Sequence, residues 1–405
     1  MLNESYVKDP LLAFANSHII DYPTPSNLNY FWSFGSMSGI ILVFQMISGI
    51  LISMHYTPHV DLAFLSIEFF MRQIDFGWLI RYSHANGASM FFGCLYMHIA
   101  RGIFYNSFSY PRAQLWVSGI ILFILVMATS FLGYILPWGQ MSFWGVTVIT
   151  SIFTAIPFVG KNVTEWLWGG WVIRNPTLNR LYSLHFTLPF VIASLSVLHL
   201  SLLHREGSNN PLGCEPRVGS VTFYPYFYSK DLFAFSFLLI VFSGFVMFSP
   251  NYLGHSTNYI IADYYKTPPR VVPEWYFLPF YAILRSIPDK VGGIVLMGGS
   301  IVVLAVFPLA VRTEIRSPAF KPFYKFFAMV FFVNFYLLGY LGQTKIRYPY
   351  YIAGQLCTFY YFFFLLVVVN FSGSLENRWR RALPCFASSP RKRGLFPGVV
   401  DWWGI

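Results

Sequence analysis

Four histidines fall inside stretches too apolar to face water: His84 and His98 in one, His185 and His199 in another. Ionisable side chains are costly in hydrocarbon, so their presence there points to function. Both pairs are fourteen residues apart. On an α-helix that spacing rises about 21 Å and returns to within about 40° of the same face. Two such helices facing each other present two His–His pairs, one above the other. Bis-imidazole ligation of a haem iron needs one histidine on each side of a flat macrocycle. It leaves no open coordination position, so it suits electron transfer and not oxygen binding. A single membrane histidine is more simply a packing or proton-relay residue. Four of them, paired at one spacing on two helices, need a common explanation.

The elements that would position these residues can be read from apolar runs, since crossing about 30 Å of hydrocarbon takes about 20 mostly apolar residues. Spans are expected at about 33–54, 78–103, 114–135, 179–203, 231–249, 290–310, 324–342 and 349–370. A ninth uncharged stretch, 139–160, is bracketed by Pro137 and Pro157 and is rich in Ser, Thr and Gly, so it is expected as helices lying at the interface, with a ninth span as the alternative. One span separates the two histidine helices, so they run the same way and pair His84 with His185 and His98 with His199. Gly35 and Gly49 in the first span, and Gly119 and Gly133 in the third, repeat the fourteen-residue period. Small residues are expected where a porphyrin edge meets backbone, although glycines also serve close helix packing. Arg81 and Arg101 each lie three residues from a histidine, toward opposite surfaces, where haem carboxylates could be paired. Interfacial snorkelling is the plainer account of both.

Composition agrees with an all-α membrane protein. Of 405 residues, 56% are apolar, 20% aromatic and only 11% charged, against roughly a quarter charged in soluble domains. That excludes an ordinary water-soluble enzyme and a disordered chain. The net charge of +11 has no basic cluster suited to nucleic acid. An excess of Lys and Arg on the side shared by both termini orients them toward the negative compartment. Cys94, Cys214, Cys357 and Cys385 are scattered, with neither a disulfide framework nor zinc spacing. The opening MLNESYVKDPLLAF has the pattern of neither a secretory signal nor an Arg-rich transit peptide. Insertion is therefore expected to be directed by the first span, or the protein to be made in its own compartment.

The stretches RYSHANGASMFF (81–92), GYILPWGQMSFWGVTVIT (133–150), HREGSNNP (204–211) and PEWYFLPFYAILRSIPDK (273–290) resemble cytochrome b, the membrane subunit of ubiquinol–cytochrome c oxidoreductase, respiratory complex III. The resemblance covers about 20–375, in order. It implies eight transmembrane helices with a haem-binding bundle formed by the first four, and a Q-cycle coupled to proton translocation. By the family pattern His84 and His185 ligate a low-potential b-type haem, and His98 and His199 a high-potential one. The quinol-oxidation pocket is implied at Phe131, Tyr134, Gly145, Pro273, Glu274, Tyr276 and Tyr281. The quinone-reduction pocket is implied at His204, Ser208 and Asp231, with Lys230 close by.

Chemistry makes sense of these positions. Quinol oxidation releases protons, and Glu274 is the lone carboxylate in a loop of aromatics and prolines, able to act as a general base. Quinone reduction takes protons up, and His204 with Asp231 offers a donor pair at the opposite face. His18, His55, His59 and His255 are read as structural, and Trp138, Trp144, Trp166, Trp168 and Trp171 as an aromatic belt with pocket wall. The implied partners are a Rieske iron–sulfur protein, a cytochrome with c-type haem, further complex III subunits, a second copy of the complex and membrane lipids such as cardiolipin. The implied location is the mitochondrial inner membrane, with both termini on the matrix side; a bacterial plasma membrane is the alternative.

Residues 1–210 are expected to hold the haem bundle, 211–375 the four later spans, and 376–405 a basic tail carrying Arg378, Arg380, Arg381, Arg391, Lys392 and Arg393. The tail suits anionic headgroups or an additional subunit, with solvated disorder from Ser388 onward. Two stretches depart from the family pattern: Asp263, Tyr264, Tyr265 and Lys266 before the PEWY motif, and Lys345 with Arg347 between the last two spans. Both bear on partner docking. Two rivals stand beside the main reading. Another bis-histidine quinone-linked cytochrome would not need the PEWY stretch. A transporter relaying protons through intramembrane histidines would be colourless.

Overall fold

A computed structural model describes residues 9–214, 219–311, 313 and 315–382. It is all-α apart from one two-stranded antiparallel pairing of Pro23–Pro25 with Ser220–Thr222, in which Thr24 opposes Val221. Among the described residues, seven helices are long and apolar enough to cross a membrane. The second expected span, 78–103, forms as Gly77–Phe104, 28 residues long. Its apolar run is interrupted by Arg81, His84, Asn86, His98 and Arg101. At about 1.5 Å per residue it is about 42 Å long, ample for a bilayer.

The first span, Ser33–Ser53, packs on Gly77–Phe104, and the third, Ala113–Ile135, packs on the fourth, Asn175–Glu206. These four form the bundle that holds the histidines. The fourth runs for 32 residues with Pro189 inside it. Proline has no N–H to give the carbonyl four residues back, so the backbone carbonyl of His185 loses its helical partner. The fifth span, Tyr226–Phe248, lies against the first two and buries little besides Phe227 and Val246. Phe233, Phe237 and Ile240 point outward, as suits a lipid-facing helix.

Residues 139–160 form no ninth span. They give a helix at Gln140–Ser151 and a turn at Ile152–Ala155, followed by a short helix at Gly160–Trp168. Twelve residues reach only about 18 Å, too short to cross. Helical segments not foreseen include Ala63–Gln73 between the first two spans and Leu278–Arg285 after the PEWY motif. The latter wedges against the sixth and seventh spans, Lys290–Ala310 and Pro322–Gln343.

The last span begins at Tyr350 and continues as helix through a wider turn at Phe364–Val368 to Ala382. It therefore runs unbroken past residue 375. The basic residues 391–393 and the stretch from Ser388 lie outside the described residues. Within the helical continuation Glu376 is buried and its Oε2 stands 3.3 Å from Lys321 Nζ, with side-chain exposures of 5% and 1%. Lys321 Nζ also sits 4.4 Å from the Tyr324 ring centre. Removing one partner of a buried pair strands the other charge. Glu376→Ala should therefore destabilise by about 3–5 kcal/mol, read as a lower thermal midpoint of helical circular dichroism. The double change Lys321→Met with Glu376→Leu should recover most of the loss, since it removes both charges together.

Candidate redox and quinone sites

Each of the four bundle histidines is held by its Nδ1. His84 Nδ1 lies 2.9 Å from Ser48 Oγ, and Gln45 Nε2 donates to the His84 carbonyl at 2.9 Å. His185 Nδ1 lies 2.8 Å from the Thr129 carbonyl. A carbonyl only accepts, so that nitrogen carries the proton and Nε2 presents its lone pair, as second-sphere partners of metal-bound histidines arrange. His199 Nδ1 is 2.8 Å from Ser118 Oγ. His98 differs: Arg101 Nη2 approaches its Nδ1 at 3.2 Å.

The four glycines have a specific steric duty. A Cβ on Gly49 would come 3.0 Å from His84 Cε1, one on Gly35 3.1 Å from His98 Cε1, and one on Gly119 3.1 Å from His199 Cε1. A Cβ on Gly133 would overlap the His185 ring outright. A porphyrin edge was expected at these glycines; the neighbour that each clears in the structure is an imidazole. Glycines of the first span face histidines of the second, and those of the third face the fourth.

The His84 and His185 rings face each other with centroids 6.4 Å apart and planes at 88°. An imidazole nitrogen binds a metal at about 2 Å, so two rings straddling one ion have centroids about 6 Å apart. Around them opens a cavity of about 300 Å³, whose lining includes Gly49, Gly133, Arg81, Tyr134, Glu274 and Tyr276. At the other histidine level, Arg101 Nε and Trp32 Nε1 are buried donors without a partner, and the Arg101 guanidinium carbon lies 5.2 Å from the Trp32 ring centre. Two orphaned donors beside His98 suit an anionic group such as a haem carboxylate. The residues present therefore fit a haem at the His84–His185 level; at the other level the orphaned donors suit its carboxylate, while a guanidinium, which only donates, makes His98 Nδ1 an acceptor.

Glu274 is buried, and burial pushes its carboxyl up to about 7, with the Tyr134 hydroxyl pulling the other way. Its Oε1 and the Tyr134 hydroxyl are both buried without a hydrogen-bond partner, which suits a polar ligand between them. Tyr276 stacks on Phe92 at 4.1 Å and is fixed from behind by the Tyr96 hydroxyl, which donates to its carbonyl. Phe131, Gly145, Pro273 and Tyr281 do not line this cavity; the Tyr281 ring instead lies 5.0 Å from the Arg285 guanidinium carbon. His255, read from sequence as structural, does line it, and burial with nearby Arg270 holds its imidazole below the usual range. No local motif marks it, because a loop distant in sequence brings it there.

Toward the opposite end, Lys230 donates to the Leu28 carbonyl and its Nζ lies 5.1 Å from the Tyr30 ring centre. Among the described residues, neither Asp231 nor Ser208 hydrogen-bonds His204. His204 meets His18 instead, a neighbour that the sequence reading missed.

Two family models match the chain: cytochrome b/b6/petB over residues 19–207, and cytochrome b(C-terminal)/b6/petD over residues 261–362. Together they cover most of it.

The chain belongs to the cytochrome b family.

Cytochrome b of Phytophthora megasperma is 57% identical over 369 residues, 91% of this chain and 96% of that protein. Cytochrome b of Chondrus crispus is 50% identical over 371 residues, 92% and 97% of the two chains. A solved structure described as a hyperthermophilic respiratory complex III superposes with a TM-score of 0.88 at 28% identity, covering 94% of this chain and all of that one. Membership in the cytochrome b family implies binding of b-type haem and association with other complex III subunits.

Proposed function

We infer that this chain is the quinone-reacting, electron-transferring subunit of a ubiquinol–cytochrome c reductase. Two stacked histidine pairs, each ring anchored at Nδ1 and cleared by its own glycine, carry the reading. His84 with His185, and His98 with His199, would hold one b-type haem each, the first pair the low-potential and the second the high-potential one. When bound, such haems supply one-electron carriage across the bilayer. Arg81 and Arg101 would pair their carboxylates.

The chain's own residues handle the protons. Glu274, with a carboxyl near neutrality in a buried site, accepts a proton from quinol at Oε1, while Tyr134 and Tyr276 shape the cavity around it. Quinone reduction belongs to the end carrying His204, Lys230 and Asp231. A Rieske protein would take the other electron from quinol and pass it to a cytochrome with c-type haem. The loop at Asp263–Lys266 borders that docking area. The mitochondrial inner membrane, with both termini on the matrix side, and a dimeric complex complete the proposal.

A potential-resolved optical titration of the complex in its native membrane tests it. Two b-type transitions at distinct potentials are expected. A single transition would favour a simpler bis-histidine cytochrome, and absence of haem absorbance would put the proton-relaying transporter first.

A further inference from the structure

His18, read from sequence as structural, is on a turn, Asn16–Ile20, that precedes every span. Its Nδ1 lies 2.8 Å from Nδ1 of His204, and the two rings stack with centroids 5.0 Å apart at 20°. Tyr22 stacks on His204 at 4.3 Å, with its hydroxyl buried and unpartnered, and Phe14 lies 4.3 Å from the His18 ring. This turn is a wide one of the π type, a form frequent at functional sites. It is pinned by backbone bonds of 3.0 Å from Phe223 to the Tyr22 carbonyl and from Tyr224 to the Ile20 carbonyl.

Two imidazole nitrogens at hydrogen-bond distance must share one proton: one ring donates from Nδ1 while the other accepts there. Their tautomers are thereby locked together, and the far nitrogen of each ring is left for another partner. His204 lies five residues beyond His199, about 7.5 Å along the helix, so the pair sits next to the second histidine level.

We propose that His18 is the proton-relay partner of His204 where quinone is reduced: it sets the tautomer of His204 and reloads it from water. This rests on the reading under Proposed function. Quinone takes two electrons from the redox chain inferred there, and two protons. One of those protons leaves His204 Nε2 for a quinone oxygen as His204 Nδ1 takes the proton of His18 Nδ1, and His18 regains one at Nε2 from solvent. His18 acts through His204 and is a positioning residue. Other groups also bear on the charge of the pair. Asp21 and Tyr22 come from the N-terminal segment, Arg205 and Glu206 from the fourth helix, and Arg112 acts on Tyr22. Lys230 and Asp231 lie in the second turn of the fifth helix.

The test follows reoxidation of the reduced haems by added ubiquinone, in membranes holding the whole complex, from about pH 6 to about pH 9. His18→Phe keeps the aromatic packing. It should retain both haem transitions but reoxidise about tenfold more slowly at the alkaline end, where protons are scarce, and near the wild-type rate at the acid end. His18→Ala should show the same slope and be restored by added imidazole. An unchanged rate and pH profile in His18→Phe would overturn the relay. So would equal slowing at every pH with no rescue by imidazole, which is the signature of packing alone. If quinone fails to reoxidise the wild-type haems at any pH, the functional reading itself fails, and that result is distinct from either outcome in the variants.

Discussion

His84→Leu should leave a complex with one b-type transition in place of two, and quinol-driven turnover reduced by more than about a hundredfold. Losing an outer partner of a metal-bound histidine already costs about 10–100-fold in metal affinity or activity, and losing the ligand itself must cost more. The geometry makes the effect local. His84 is tied to Ser48 and faces His185 across 6.4 Å, while His98 and His199 sit a further four helical turns away, about 21 Å. The surviving transition should therefore keep the character of the second pair. Gly133→Val probes the same level without replacing a ligand. Its side chain would enter the space of the His185 ring, and the same transition should be lost or shifted. Retention of both transitions with unchanged potentials in His84→Leu would sink the ligand assignment.

Glu274→Gln should slow quinol oxidation by about a hundredfold, within the range for loss of a general base, with both haems in place. The pH dependence is the sharper readout. Burial raises the Glu274 carboxyl to about 7, so it is neutral below that pH and an anion above it. Only the anion can accept a proton, so wild-type quinol oxidation should climb as pH rises through about 7 and level off beyond. The amide variant should lack that rise. Linkage gives a matching sign in stability. The folded state holds this proton more tightly than the unfolded chain, whose carboxyl titrates near 4.5. Stability should therefore fall as pH rises between those values, and the Gln variant should be free of the fall. A retained rise in rate in Glu274→Gln would mean that quinol protons leave by another group.

Much of the architecture was legible because a bilayer imposes a strong, local constraint. Backbone polar groups must be satisfied within each segment, so apolar runs of the right length become helices almost irrespective of their neighbours. The fourteen-residue histidine and glycine periods could be read for the same reason: helical geometry turns spacing into facing. Even Gly77–Phe104, whose apolar run is broken by two arginines and two histidines, was found from its pattern. Boundaries were less legible. Helix continues to Ala382 because Glu376 finds Lys321, 55 positions earlier in the chain, and no local feature of the tail announces that partner.

The sequence by itself determined the membrane spans, their order and the family. All of these follow from periodicity and motifs within single segments. The tertiary structure alone decided that each glycine clears an imidazole, that Tyr134 and Glu274 leave unpartnered polar atoms in one cavity with His84, and that His18 meets His204. Those facts depend on contacts between segments up to 186 residues apart. The physical reason is that side-chain meeting is set by how helices pack and loops fold back, and no local period along the chain encodes that.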